Sequence, residues 1–408
     1  METLVSTSSD DEETSDIFHG ARREDSNPAV LPDSFLTHWY SCKRVGNLQP
    51  GHDGVSELVS YHSSLLVTLR VLFVRTGTIL TKGVLWVEEA ITLCSFFLTI
   101  LCMQPMLLNS QTGDTNPLLE DLQRQTSFFV GFCQTMTHIV TFLLTFFTTL
   151  NFSRWQRLRT HGVEKMWSAA GQLAMITSTF VTSDAEVLSA IDRYSRASLM
   201  LVFMSRRKSP SLAVLVQREV LTEDEVEKLA MVGEPMFASM AIWTWLAAIV
   251  SGIKAKGMIK SEQIARYLVD AVSQGHEAAH VMVSQLTAPV PLSYVWLISI
   301  IVKIHNFVHG VLYGIIITVS AWEKGQHMTV TTQCLFVFLV TVLFHAFLIL
   351  NQELADPFDG MSQDAGFPMA WLNRSIKKDS SNYLGLANSL PSWLEAAGIA
   401  EPVPKKII

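Results

Sequence analysis

Charge is scarce in this chain: Asp, Glu, Lys and Arg make up 16% of 408 residues, against roughly 25% in an average soluble protein. A soluble globule of this length would need more charge on its surface, so that class is disfavoured. No basic tract interrupts the sequence and the net charge is −7, which argues against nucleic acid as a partner. The five cysteines show no metal-ligand spacing. Cys94, Cys102, Cys133 and Cys334 fall in apolar blocks, where a thiol acts as a small hydrophobe, and no disulfide framework is read. A phosphate-cradling glycine loop, a nucleophile motif and an internal repeat are all missing. An enzyme is therefore not expected. The lack of a repeat weighs against an alternating-access transporter.

What is present is apolar residues gathered in long blocks, with the charges between them. A bilayer crossing needs about 20 consecutive, mostly apolar residues. The first block, residues 85–108, opens at Trp86 and Glu88-Glu89 and runs into the turn-forming stretch Gln111 to Pro117. The second, 126–152, holds no charged residue between Phe128 and Leu150. It stops at Arg154, Trp155, Arg157 and Arg159, a basic boundary with an aromatic anchor. The third, 289–322, opens at Pro289-Val290-Pro291 and carries Lys303, His305 and His309. The fourth, 330–350, has His345 as its one ionisable residue.

Residues 153–288 mix helical apolar spacing with charge and read as a cytosolic helical bundle. Thr222 before Glu223-Asp224-Glu225 reads as a helix N-cap. Nine Lys and Arg residues lie between Arg154 and Lys208, which places this region, and both chain ends, on the cytoplasmic side. Residues 1–55 read as a disordered acidic tail. Asp10, Asp11, Glu12, Glu13 and Asp16 suit neither a signal peptide nor an acid-poor transit peptide. Residues 368–408 read as a C-terminal tail. The expected fold class is an all-α integral membrane protein, with about four transmembrane helices plus a cytosolic helical bundle.

Three motifs keep the order and spacing of a known family. Phe142-Leu-Leu-Thr-Phe146 leads into Arg154-Trp155. Val290-Pro291-Leu292-Ser293-Tyr294 opens the third block. Glu353-Leu-Ala-Asp356-Pro357-Phe358 follows the fourth. Arg193-Tyr194 and Leu215-Val216-Gln217 before Thr222 add weaker matches. From about Leu65 to Phe367 the chain resembles the bestrophin anion channels, and its third motif is similar to the bacterial and plastid members. The resemblance implies a homopentamer around one pore, with residues of the second span lining a narrow neck. It implies a second, cytosolic constriction at Val290, and permeation by chloride or other small anions such as bicarbonate. The membrane is not specified. A plasma membrane is the default, and a plastid thylakoid or other internal membrane stays open.

His138, Phe142 and Phe146 are four apart and share a helix face. They are either helix-packing residues or the pore neck. A phenylalanine ring can gate by dewetting, and its positive edge meets a passing anion. His138 departs from the aliphatic residue usual in the family; protonated, it would attract anions. Pro291 breaks the helix beside Val290. Lys303, His305 and His309 either line the ion path or pack against other helices. Glu353, Asp356, Asp359 and Asp364 place acids at a helix C-terminus, against its dipole, so water, arginine or a cation must offset them. In calcium-activated members a denser run of aspartates here forms a calcium clasp. Several carboxylates suit calcium, which makes calcium the one cofactor considered.

Overall fold

The computed structural model describes residues 78–108, 117–206, 211–324, 327–359, 366–389 and 391–393. The acidic N-terminal stretch and Asp364 lie outside them. The described residues form helices and turns, with no strand among them. The four apolar blocks become α1 (Gly83–Leu108), α2 (Pro117–Arg157), α9 (Leu292–Lys324) and α10 (His327–Ala355). Between them come α3 (Glu164–Phe180), α4 (Ala185–Ser205), α5 (Ala213–Gln217), α6 (Glu223–Ala230), α7 (Pro235–Ala255) and α8 (Glu262–Thr287). Helix α11 (Met369–Asn388) closes the chain.

Two bundles result. Helices α1, α2, α9 and α10 pack on one another, and α3, α4, α7, α8 and α11 pack on one another. Rod-like continuity joins them: α2 passes through a π turn, Leu158–Val163, directly into α3. At about 1.5 Å per residue, the 57 residues from Arg124 to Phe180 extend about 86 Å. That is nearly three times a hydrocarbon core of about 30 Å. The charges at Arg154, Arg157 and Arg159 therefore fall within a continuous helical rod, not at the end of one. Gly162 in the π turn lets Met282 of α8 lie against the backbone, where a Cβ would collide with it.

Among the described residues, five helices are long and apolar enough to cross a membrane, one more than expected. The fifth is α7, in the region read as cytosolic. Its partners differ from those of the other four: it packs on α4, α8 and α6. Ile242, Trp243 and Leu246 enter the core of the second bundle. Trp243 Nε1 donates to Ser198 Oγ at 2.8 Å, and Ser198 Oγ donates to the Ser239 carbonyl at 2.7 Å. The Trp243 ring also fills the space where Gly275 of α8 has no side chain. Apolar composition thus serves a protein core here.

Local rules hold where they were legible. Thr222 and Glu225 form a reciprocal capping box at the start of α6. Ser261 caps α8 and Asp184 caps α4. The residues expected as a C-terminal tail include α11, which is tied into the second bundle: Trp167 Nε1 donates to Asp379 Oδ2 at 2.7 Å, and the Trp371 ring meets Trp167 edge-on.

Glu225 also tethers α4 to α6. Arg193 donates to it at 3.1 Å and the Tyr194 hydroxyl at 2.5 Å. Partial burial pushes the Glu225 carboxyl up, but hydrogen bonds from Tyr194, the Thr222 N–H and Arg193 outweigh burial and hold it below the usual range. Burial, followed by the bond to Glu225, pushes the Tyr194 phenol up to about 12. A depressed carboxyl contributes stability above its unfolded pKa and loses it as pH falls through the folded value. Glu225→Gln is therefore expected to lower the unfolding temperature at pH 7 and to flatten its fall on acidification. Thermal unfolding of detergent-solubilised protein from pH 7 to pH 3 checks this.

Candidate functional site

Helix α2 has two unlike faces. Cys133, Val140, Leu144 and Phe147 are buried, and the last three join Ile298 and Val302 of α9 and Phe344 of α10 in one cluster. The opposite face is exposed among the described residues. Phe142 is 71% exposed and Phe146 50%, and His138 is exposed beside them. The structure thus brings the three residues together on one unpartnered stripe.

That stripe differs from the other outward faces of the same bundle. Helix α1 turns out Val84, Val87, Ile91, Leu98 and Leu101, and α10 turns out Leu335, Phe336, Leu339 and Leu343. Both are what lipid tails accept. Around Phe142 the α2 stripe instead carries Gln134, Thr135, His138, Thr145 and Thr149, all exposed. The threonine hydroxyls donate to carbonyls four residues back, at 3.0 Å for Thr135, 2.8 Å for Thr145 and 2.9 Å for Thr149. That leaves their oxygens open to a further partner.

Polar side chains fix the α2 stripe from behind. Asn151 Nδ2 donates to Asn351 Oδ1 at 2.8 Å, and Asn351 Nδ2 donates to Thr148 Oγ1 at 2.8 Å, both buried between α2 and α10. Arg154 donates to the Gln285 carbonyl at the end of α8. The Trp155 ring stacks on Phe152 and on Phe367, so the Arg-Trp pair is more than a membrane-surface anchor. Asn151 and Asn351 were not singled out from sequence. An asparagine at the edge of an apolar block was the available signal.

Val290 is only partly exposed and packs beside the cluster of Val140, Leu144 and Phe147. Of the ionisable residues of α9, His305 and His309 are buried at 1% and 3% exposure. They favour packing over lining the path. Lys303 pairs with Glu88 of α1.

The acids after α10 have found their offsets. Glu353 pairs with Lys82 at 2.7 Å, and Asp356 receives Arg206 Nε at 2.7 Å. Arginine and lysine thus answer the helix dipole where a cation had been considered. Asp356 Oδ1 also accepts the Phe358 N–H at 3.3 Å. Asp359 is half-buried on the next turn, and Asp364 lies outside the described residues. Two of the four carboxylates are thus committed to basic side chains. Among the described residues, no cluster of three His, Cys, Asp or Glu is placed to hold a metal.

Fold and site together define a membrane protein: an apolar four-helix bundle on a soluble-type helical bundle, with one polar-dotted helix face left free. The family model described as "Bestrophin, RFP-TM, chloride channel" matches residues 56–378. The chain belongs to the bestrophin family. A bacterial bestrophin homolog from Klebsiella pneumoniae has a similar structure, with a TM-score of 0.58 at 14% identity, covering 73% of this chain and 97% of that one. A second solved structure, described only as a membrane protein, gives a TM-score of 0.57 at 16% identity over 76% of this chain and 100% of that one. At such identities the likeness shows the fold. No curated protein matches the chain.

Proposed function

We propose that five copies of this chain form an anion channel whose neck is lined by His138, Phe142 and Phe146. The observation that carries the reading is the α2 stripe: aromatic, without a packing partner among the described residues, and dotted along its length with hydroxyl, amide and imidazole groups, where the large exposed side chains of α1 and α10 are mainly hydrocarbon. Lipid disfavours such a face, whereas a water-filled axis accommodates it. Helices α1, α2, α9 and α10 cross the membrane in this reading, and the second bundle, α7 included, lies in the cytosol. Chloride is the expected permeant ion, with bicarbonate a second small anion to test.

Purified protein in planar bilayers under a chloride gradient provides the test. A reversal potential that follows the chloride equilibrium potential, with resolvable unitary steps, supports the channel. Gradient-driven flux without unitary steps would instead indicate a transporter, and silence under all ions and pH values a non-conducting scaffold. Native mass measurement reads the subunit number.

His138 has its own expected outcome. Each protonated ring adds a positive charge at the neck, multiplied by the number of subunits. Unitary chloride conductance is expected to be larger at pH 6 than at pH 8, and His138→Leu is expected to remove that difference.

A further inference from the structure

A carboxylate is buried among the helices of the first bundle, with no lysine or arginine paired to it among the described residues. Glu89 of α1 is 1% exposed. Its Oε1 accepts the Thr341 hydroxyl of α10 at 2.8 Å. Its Oε2 has no hydrogen-bond partner among the described residues, and neither has Nδ1 of His345, which is 4% exposed. The two unpartnered atoms face each other at 3.7 Å. A buried carboxylate at such depth is costly unless compensated, and ionisable residues there mark ion or proton sites.

From His345 a chain of contacts crosses the bundle. His345 Nε2 lies 3.1 Å from Asn306 Nδ2, Asn306 Oδ1 lies 3.2 Å from His305 Nδ1, and His305 Nε2 lies 2.8 Å from Thr137 Oγ1. Thr137 is on α2, adjacent to His138. Its hydroxyl is also 2.8 Å from the Cys133 carbonyl, and it can donate to only one of its two neighbours at a time.

We infer that Glu89 and His345 form a buried binding site for one proton, linked through Asn306 and His305 to Thr137 on the pore-facing helix. Donor and acceptor accounting allows two consistent states. Without the extra proton, His345 carries hydrogen on Nδ1 toward Glu89 and accepts at Nε2 from Asn306. His305 then donates from Nδ1 to Asn306 Oδ1 and accepts at Nε2 from Thr137. With the proton, His345 is doubly protonated and forms an ion pair with Glu89. Its Nε2–H donates to Asn306 Oδ1, whose amide has turned over. His305 accepts at Nδ1 and donates from Nε2 to Thr137, whose hydroxyl now donates to Cys133. One proton is gained overall, and no bond between heavy atoms changes. The pair would close to the shorter separation of a charge-assisted bond.

Other titratable groups on the four packed helices have distinct positions. Glu88 and Lys303 are paired with each other. Beside the chain, the His309 ring stacks on His305 and packs against Tyr313. Cys133 accepts from Thr137 through its carbonyl, and His138 points to the opposite, exposed face. None of these bonds Glu89 or His345.

The proton site stands on its own, while its coupling to conduction rests on the channel reading. Nitrogen NMR of histidine-labelled protein in lipid reads the first. At pH 6 an imidazolium signal from within the bundle is expected, lost in Glu89→Gln and in His345→Gln, and kept in His138→Leu and Thr137→Val. Absence of that signal in the wild type overturns the site, whether or not current is seen. Single-channel recording reads the second: open probability is expected to change about five-fold or more between pH 6 and pH 8. Glu89→Gln and the nearly isosteric Thr137→Val should each abolish that change, while His138→Leu keeps it. A pH response that survives Thr137→Val overturns the link to α2.

Discussion

Alanine at both Phe142 and Phe146 is expected to raise chloride current while leaving the fold intact. The argument separates conduction from stability. Both rings are largely exposed in the protomer, so their removal takes nothing from its core, and surface changes of this kind cost about 0.5 kcal/mol or less. At the neck the same rings would form a hydrophobic constriction that holds water out. Removing them lowers the barrier to a hydrated anion. A reduction of about 1.4 kcal/mol corresponds to a ten-fold gain in current, and a gain on that order is expected in bilayer recordings. Phe147→Ala is the contrasting variant. Phe147 is buried on the opposite face, edge-on to Tyr294 at 5.8 Å. Its loss should cost about 3–5 kcal/mol and show as lost folded protein instead of increased current. If the double variant conducts as the wild type does, the stripe does not line the neck.

The second large effect is expected at Phe358. This residue follows the helix-breaking Pro357 and is 1% exposed. Its ring meets Phe203 of α4 at 4.8 Å and Phe367 at 5.1 Å, and Phe367 in turn stacks on Trp155 at the base of α2. Phe358 therefore packs where α4, the exit from α10 and the base of α2 converge. Phe358→Ala would leave a cavity there and cost about 3–5 kcal/mol. A clear drop in the unfolding temperature in detergent is expected. Phe358→Leu, which keeps most of the volume, should recover much of the loss. An unchanged melting profile for the alanine variant would mean that the Asp-Pro-Phe segment does not hold the bundles together.

Much of this architecture was legible in the residues. Long apolar runs predicted α1, α9 and α10 to within about five residues, because a bilayer crossing demands a stretch of that length and composition, whereas α2 starts nine residues before the expected block and continues past its basic end. Thr222 was legible as a cap because capping is local. Helix α7 was not identified as a span-like helix. Its composition satisfies a bilayer and a protein core equally, and only its packing against α4 and α8 distinguishes them. The shared face of His138, Phe142 and Phe146 followed from helical spacing, but the direction of that face did not. Calcium stayed open in the sequence because acidic residues alone do not reveal their partners. Lys82 and Arg206 are distant in the chain from Glu353 and Asp356, and folding brings them together.

The sequence by itself determined a membrane protein of helices, its apolar spans and the family to which it belongs. These depend on composition and on spacing along one chain. The tertiary structure decided which face of α2 is left without a partner, which acids are already neutralised, and that Glu89, His345, Asn306, His305 and Thr137 form one line through the bundle. Those are relations between residues up to about 250 positions apart, and no local rule encodes a contact across that separation.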